Sequence, residues 1–325
     1  MKTITVVVPT YNEEANIENI YHRISKVFEE QLSQYNFTIL FIDNASKDHT
    51  RSLIRKLSQE NRRVQAIFNN TNFGFSKSTF YGLTQAEGDC AVLMYADMQD
   101  PPEVIPKMVQ KWEAGYQIVV GIKSKSKESR LMYAVRNVYY NILDKMSETE
   151  HIKQFDGFGL YDRTFVENLR DLEDSLPYLR GLVSELGPER ASVEYEQELR
   201  KGGKTTFNFM RYYDVAMLGI TSSTKAIMRL ATFLGMALSG LCIIIAIVTM
   251  ILKIINWNYF SVGTAAIIVG IFFVGGIQMF FLGFLGEYIV NMNIRVMRHP
   301  LVIEKERINL KRVINHQSKQ TGEDA

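Results

Sequence analysis

Over the first 121 residues, short β-branched and aromatic runs alternate with longer stretches whose apolar positions recur every three or four residues. Ile4–Val8, Phe37–Ile42, Val64–Phe68, Cys90–Tyr95 and Gln117–Gly121 read as strands. Between them lie four predicted helices: Glu13–Leu32, with Ile17, Ile20, Ile24 and Val27 on one face, Asp48–Gln59, Ser76–Ala86, and Pro102–Ala114, which proline opens. This alternation predicts an α/β fold, a Rossmann-like and mostly parallel sheet covered on both faces. Ligands of such sheets bind beyond the carboxyl ends of the strands. Three polar segments stand there: Pro9–Glu13, Asp43–Asp48 and Asp97–Glu103. No glycine-rich phosphate loop follows the first strand, so the pattern does not imply a dinucleotide or a nucleoside triphosphate.

After about residue 225 the pattern changes. Leu230–Leu252 is 23 residues without a charge, and Phe260–Leu285 is another 26. Each exceeds the roughly 20 residues that cross a bilayer core, so two transmembrane helices are expected, at 230–252 and 260–285. Lys225 and Arg229 precede the first span, and Arg295, Arg298, Lys305, Arg307, Lys311 and Arg312 follow the second, whereas the loop between them carries Lys253 alone. Positive charge on one side predicts a multi-pass protein of the cell membrane with the soluble domain and both termini in the cytoplasm. Trp257 and Tyr259 suit the opposite interface, and Gly235, Ser239, Gly276, Gly283 and Gly286 permit close helix contact, within one chain or in a homo-oligomer. Residues 206–229 place Phe207, Phe209, Met210, Tyr213, Met217 and Ile220 among Arg211, Lys225 and Arg229. That segment reads as an amphipathic interfacial helix or as a core helix of the soluble domain. The expected organisation is a soluble domain at 1–205, this helix, the two spans, and a cytoplasmic tail at 286–325 that is polar beyond Asn315.

Composition narrows the function. A net charge of +2 without a basic stripe gives no sign of a nucleic-acid partner. Two cysteines, Cys90 and Cys242, make neither a disulfide framework nor a metal-ligand spacing. The opening Met1–Pro9 is a strand rather than a signal peptide.

Two strings carry candidate chemistry. In Phe41–Asp48, Asp43 ends a strand and can accept the N3–H of a uracil ring, with Asn44 and Ser46 beside it; equally, the string is a turn in which Ser46 or Asp48 caps the next helix. In Tyr95–Glu103, Asp97 and Gln99 sit two apart, so in extended chain both oxygens reach one side, as a hard divalent ion holding a diphosphate requires. The other reading is a proline-terminated strand with Asp100 capping the following helix.

Together with Pro9-Thr10-Tyr11-Asn12-Glu13, these strings resemble the inverting family 2 glycosyltransferases of GT-A fold. They are most similar to the branch of dolichyl-phosphate mannose synthase and bactoprenol glucosyltransferase. Asp97-Met98-Gln99-Asp100-Pro101-Pro102-Glu103 is similar to that branch's Asp-Leu-Gln-Asp-Pro-Pro-Glu. Pro177–Gly181, Arg200–Thr205 and the spans ending in Gly286-Glu287-Tyr288 also have counterparts, so the resemblance covers about residues 3 to 305. It implies that Pro9, Tyr11 and Glu13 line the nucleotide pocket and that Asp43 reads uracil. Asp97 and Gln99 would hold Mg2+ or Mn2+, while Arg200 and Lys204 meet donor or acceptor phosphates. Arg130 and Arg136 would meet the acceptor phosphate or form a solvated helix face. The implied reaction moves a hexose, glucose first and N-acetylglucosamine second, from a UDP-sugar to polyprenyl (undecaprenyl) phosphate, and a separate flippase would move the product.

The chain departs from the branch at several positions. Tyr95 stands where a second Asp is common, and Asn44 where a second carboxylate is common. In Asp156-Gly157-Phe158-Gly159-Leu160, against the branch's Gly-Asp-Phe-Arg-Leu, the Asp proposed as a base aligns with Gly157 and the Arg with Gly159. A phosphate acceptor tolerates that loss, because its second pKa of about 6 leaves it largely dianionic at neutral pH; an alcohol would need a base. The competing readings are a silent nucleotide-sugar-binding membrane protein, suggested by Tyr95 and Gly157, and a processive polysaccharide synthase. The second is disfavoured by two spans and by the absence of a Gln-x-x-Arg-Trp motif.

Overall fold

The computed structural model describes residues 1–125, 152, 154–172, 174–187, 189–198, 264–297 and 299–311, with single helical positions at 217, 233, 237, 244, 248, 251 and 255. The expected interfacial helix at 206–229 lies outside the described residues except for Met217. The expected first span does so except for Phe233, Ala237, Ile244, Val248 and Ile251.

The described elements run β1 (Thr3–Thr10), α1 (Ile17–Gln31), β2 (Asn36–Asp43), α2 (Thr50–Glu60), β3 (Val64–Asn69), α3 (Phe75–Thr84), β4 (Cys90–Leu93), a 3-10 turn (Pro102–Val104), α4 (Ile105–Glu113) and β5 (Ile118–Lys125). They continue as β6 (Gly159–Asp162), α5 (Arg163–Asp171), α6 (Leu179–Leu186) and β7 (Ala191–Glu196), then α7 (Thr264–Val296) and β8 (Glu304–Ile308). Eight strands form one sheet in the order β7-β5-β6-β4-β1-β2-β3-β8. β1 pairs in parallel with β2 and β4, and β2 in parallel with β3. β6 and β8 run antiparallel to their neighbours.

The alternation of side chains sorts the core into two layers. Val6 and Val8 face the apolar sides of α1, α2 and α4, including Ile20, Ile24, Ile54, Met108 and Trp112. Val7, Leu40 and Ile42 face α3, α5 and α6 through Phe80, Leu83, Phe165 and Val183. Strands buried on both faces read as unbroken apolar runs, which is why β1 to β4 were recognisable.

Three local expectations are corrected. α1 begins at Ile17 rather than Glu13, because Glu13–Asn16 form a turn, with Asn16 N–H and Ile17 N–H both donating to Glu13 O. β4 stops at Leu93, so residues 94–100 are loop. The segment after 286 is not all tail: β8 seals the free edge of β3. Arg55 pairs with Glu306 at 2.6 Å, Tyr81 donates to Glu304 at 2.7 Å, and Asn309 donates to the carbonyls of Ser58 and Val64 at 2.7 and 3.0 Å. The sheet therefore takes seven strands from before residue 200 and its last from beyond residue 300.

α7 is 33 residues long, about 50 Å at 1.5 Å per residue, and overlaps the segment expected as the second span. Its sequence is uncharged from Thr264 to Gly286, and Ile267, Ile271, Leu282, Ile289 and Val290 are exposed on it. Among the described residues no helix is long and apolar enough to cross a membrane.

Candidate active site

Because β1, β2 and β4 are parallel neighbours, the segments leaving their carboxyl ends converge on one edge of the sheet. The first two are laced together. Asn12, in the left-handed region at φ 56°, donates its N–H to Ser46 Oγ at 2.9 Å, and its side-chain oxygen accepts from Lys47 N–H at 2.8 Å. Glu13 N–H donates to Thr50 Oγ1 at 2.9 Å, and the Glu13 carboxylate accepts from Asn16 at 2.7 Å. Neither Ser46 nor Asp48 is the N-cap of α2, which is His49: Asp48, one residue earlier, accepts from Thr50 N–H at 3.1 Å, and the Ser46 hydroxyl accepts from Asn12 N–H.

Beside these segments opens a cleft of about 810 Å³, lined by Tyr11, Ala45, Lys47, Arg51 and residues 70–74. Two cations, Lys47 and Arg51, and two aromatic rings, Tyr11 and Phe73, on its wall suit a base and an anionic group. Of the residues expected to line a nucleotide pocket, Tyr11 lines this cleft, and Pro9 and Glu13 are not among its lining residues. Asp43 lies fully buried rather than open to the cleft. Its carboxylate accepts from Arg51 Nε at 2.5 Å and from Ser46 N–H at 3.2 and 3.3 Å. Asn44 pins the cleft wall, donating to Asn72 Oδ1 and Gly74 O and accepting from Asn69 and Phe73 N–H. Sequence reasoning missed Lys47, Arg51 and the 70–74 wall. Arg51 sits on a helix face with no motif to mark it.

The third segment is a turn, not the extended chain expected. Met98 has φ 62°, and Asp97 Oδ1 accepts from Gln99 N–H at 3.1 Å. Gln99 Oε1 accepts from Gln197 at 3.0 Å, and Gln99 O accepts from Glu198 N–H at 3.0 Å. Asp100 does not cap a helix: it is buried, with Oδ1 accepting from the Tyr195 hydroxyl at 2.5 Å and Oδ2 unpartnered. Burial, followed by the charge of Asp156, pushes the Asp100 carboxyl well above the usual carboxylate range. At the end of β5, Lys123 pairs with Asp156 at 2.6 Å. Burial alone would lower the Lys123 pKa, but Asp156 and Asp100 more than offset it, so the pKa is raised. Among the described residues no three His, Cys, Asp or Glu side chains cluster as a metal cage. Arg130, Arg136, Arg200 and Lys204 lie outside the described residues.

The two glycines that replace family residues are closed to side chains here. A Cβ at Gly159 would stand 2.8 Å from Val119 O, and one at Gly157 would stand 2.6 Å from the Tyr95 hydroxyl.

The sequence matches Glycosyl transferase family 2 over residues 5–170. It is 34% identical to the prophage bactoprenol glucosyl transferase homolog of Escherichia coli (strain K12), over 93% of this chain and 98% of that one. The SfII prophage-derived bactoprenol glucosyl transferase of Shigella flexneri is 32% identical over 93% of this chain and 97% of its own length. The uncharacterized glycosyltransferase YkcC of Bacillus subtilis (strain 168) is 30% identical over 92% of each chain. Among solved structures, glucosyl-3-phosphoglycerate synthase from Mycobacterium tuberculosis in complex with Mn2+, UDP and phosphoglyceric acid has a TM-score of 0.49 at 20% identity, over 67% of this chain and 77% of that one.

Proposed function

This chain belongs to glycosyl transferase family 2 and is a glycosyltransferase; from that premise we propose that it transfers a hexose from a UDP-sugar to a polyprenyl phosphate, inverting the anomeric centre, on the cytoplasmic leaflet. The observation that carries this reading is the end-to-end match, 93% of this chain against 98% of its relative, to proteins named for bactoprenol glucosylation. The match spans the apolar segments as well as the catalytic sheet.

The residues divide the chemistry along the edge of the sheet. The cleft of Tyr11, Lys47 and Arg51 takes the nucleotide. Asp97 and Gln99 supply one carboxylate and one amide oxygen, and Gln99 Oε1 keeps a lone pair beyond its bond to Gln197. These two oxygens would hold a hard divalent ion, Mg2+ or Mn2+, whose charge would offset that of the departing nucleotide diphosphate. The acceptor phosphate is held by cations, for which Arg130, Arg136, Arg200 and Lys204 are candidates, and its dianion attacks without prior deprotonation.

The membrane reading rests on charge and on chain path. Lys and Arg flank the spans mainly on one side, against Lys253 alone in the connecting loop. β8, which follows α7, pairs with β3 of the catalytic sheet. Both ends of the apolar region therefore meet at one body, which supports an even number of crossings. A flippase would then carry the product outward, since two spans enclose no channel for a sugar.

Mass spectrometry of lipid products from a panel of UDP-sugars, with the purified enzyme and undecaprenyl phosphate, tests this reading. A hexosyl phosphoryl lipid is expected, with UDP-glucose the first donor to succeed. Absence of any glycolipid across the panel would sink it.

A further inference from the structure

The 70–74 wall of the nucleotide cleft is the continuation of β3, and β3 takes its outer partner from beyond α7. Where β3 ends, its register with β8 slips by one residue: Phe68 faces Glu306, but Asn69 faces Glu304. The pairing then runs one residue past the strand, with Asn70 N–H donating to Ile303 O at 2.9 Å. An extra residue in one strand bends the ladder and turns the side chains that follow to the other face. Glu304 and Glu306, two residues apart, therefore reach helices on opposite sides of the sheet. Glu306 pairs with Arg55 of α2, four residues on from Arg51, which lines the cleft and donates to Asn69 O at 2.5 Å. Glu304 accepts from the Tyr81 hydroxyl of α3 at 2.7 Å, and α3 begins at Phe75, directly after the wall. Arg307 pairs with Glu304 from the same strand and donates to Gln85 Oε1, just past the end of α3, at 2.8 Å. The Glu304 and Arg307 side chains are only 17% and 11% exposed, so this pair escapes most of the screening that weakens surface ion pairs. β8 thus holds the wall at its start through the backbone and at its end through Glu304, Tyr81 and α3.

We infer that Glu304 is a positioning residue for the nucleotide: by seating β8 against β3 and α3 it fixes the 70–74 wall, so the strand that follows α7 sets how tightly the cleft holds its ligand. Glu304 acts through Tyr81 and the chain it anchors. A coupling of this kind is a binding free energy and runs in both directions. If β8 tightens the cleft, a nucleotide in the cleft must tighten β8 on β3. The inference rests on the reading of the cleft as the nucleotide site, and it adds that the site is completed by chain from beyond the apolar region.

The test uses the full chain as wild type, Glu304→Ala, Glu304→Gln, Tyr81→Phe and the Tyr81→Phe, Glu304→Ala double variant, with UDP as the probe. Tyr81→Phe removes one hydroxyl and serves where Glu304→Ala fails to fold. Calorimetric titration should give a UDP Kd raised about three- to tenfold in Tyr81→Phe and Glu304→Ala, the worth of one or two hydrogen bonds. Donor KM should rise in step while kcat stays within about twofold, since the wall is remote from the reacting bond. Glu304→Gln, which keeps an acceptor for Tyr81, should recover part of the affinity, and the double variant should bind no worse than Glu304→Ala, because both changes break the same bond. Val109→Ala, at a buried position of α4, should lower Tm and leave UDP affinity in place, which separates positioning from general loss of stability. In wild type UDP should slow hydrogen exchange across residues 303–308, and by less in Tyr81→Phe. UDP affinity unchanged in both Tyr81→Phe and Glu304→Ala, or exchange of β8 indifferent to bound UDP, would overturn the inference. If wild type bound no UDP the reading of the cleft would fall instead, and exchange of residues 70–74 without ligand would still decide whether Glu304 holds the wall.

Discussion

Asp97 is the residue on which the proposed chemistry leans most. It is the carboxylate of the short turn that also contains Gln99, and without it the diphosphate loses its anchored counter-charge. Asp97→Ala should therefore abolish turnover, as should excess chelator, a loss of several kcal/mol of transition-state stabilisation; full activity in either case would remove the metal from the reaction. Asp43 answers to two demands at once. Its buried bond to Arg51 means that Asp43→Ala strands a cation, and breaking such a pair costs about 3–5 kcal/mol when both partners are buried, less here because Arg51 is 19% exposed. Asp43→Ala should raise the donor KM more than it lowers kcat and should lower Tm as well. A raised KM with an unmoved Tm would show that Arg51 does not depend on Asp43 in solution.

At the scale of elements, the strand–helix order through residue 121 was legible because β1 to β4 are apolar on both faces and α1, α2 and α4 each carry one apolar stripe. β6 has four residues and no flanking alternation to announce it. β7 alternates buried and exposed positions along Ala191–Glu196, a legible pattern that lies beyond the strands predicted above. β8, Glu-Lys-Glu-Arg-Ile, looks like a solvated charge run, because its carboxylates find partners on α2 and α3 that sequence spacing cannot reveal. The site shows the same division. Its three loops were legible as strand ends, whereas the meeting of Tyr95 with Gly157 depends on tertiary contact. The seating of β8 should also be sensitive to acid. The hydrogen bond from Arg55 holds the Glu306 carboxyl below the usual glutamate range. Its contribution is thus complete above that range, and it is lost as pH falls through the lowered value. Hydrogen exchange of β3 amides should accelerate as pH falls through that lowered value, and by less in Glu306→Gln, which lacks the titrating group; identical acid responses would exclude the ion pair as the cause.

For the whole molecule, the proposed arrangement puts the catalytic sheet, α7's carboxyl end and the chain terminus on one face of the bilayer. A reporter in the Asn256–Asn258 loop should be labelled only from outside, and one at Ala325 only from inside. Either reporter on the opposite face would overturn the route proposed for donor and acceptor. The pairing of β3 with β8 has a further consequence in time. Ala66 leaves the ribosome long before its partner Ile308, by roughly ten to fifty seconds at usual synthesis rates. Throughout that interval the edge of β3 stays open, and the apolar region is synthesised before the closing strand exists. A nascent chain stalled near residue 297 should therefore be cut by protease in the catalytic unit, whereas one released at full length should resist. The sheet would then be finished only by a chain whose apolar region has already been made, and catalytic competence would follow membrane insertion rather than precede it.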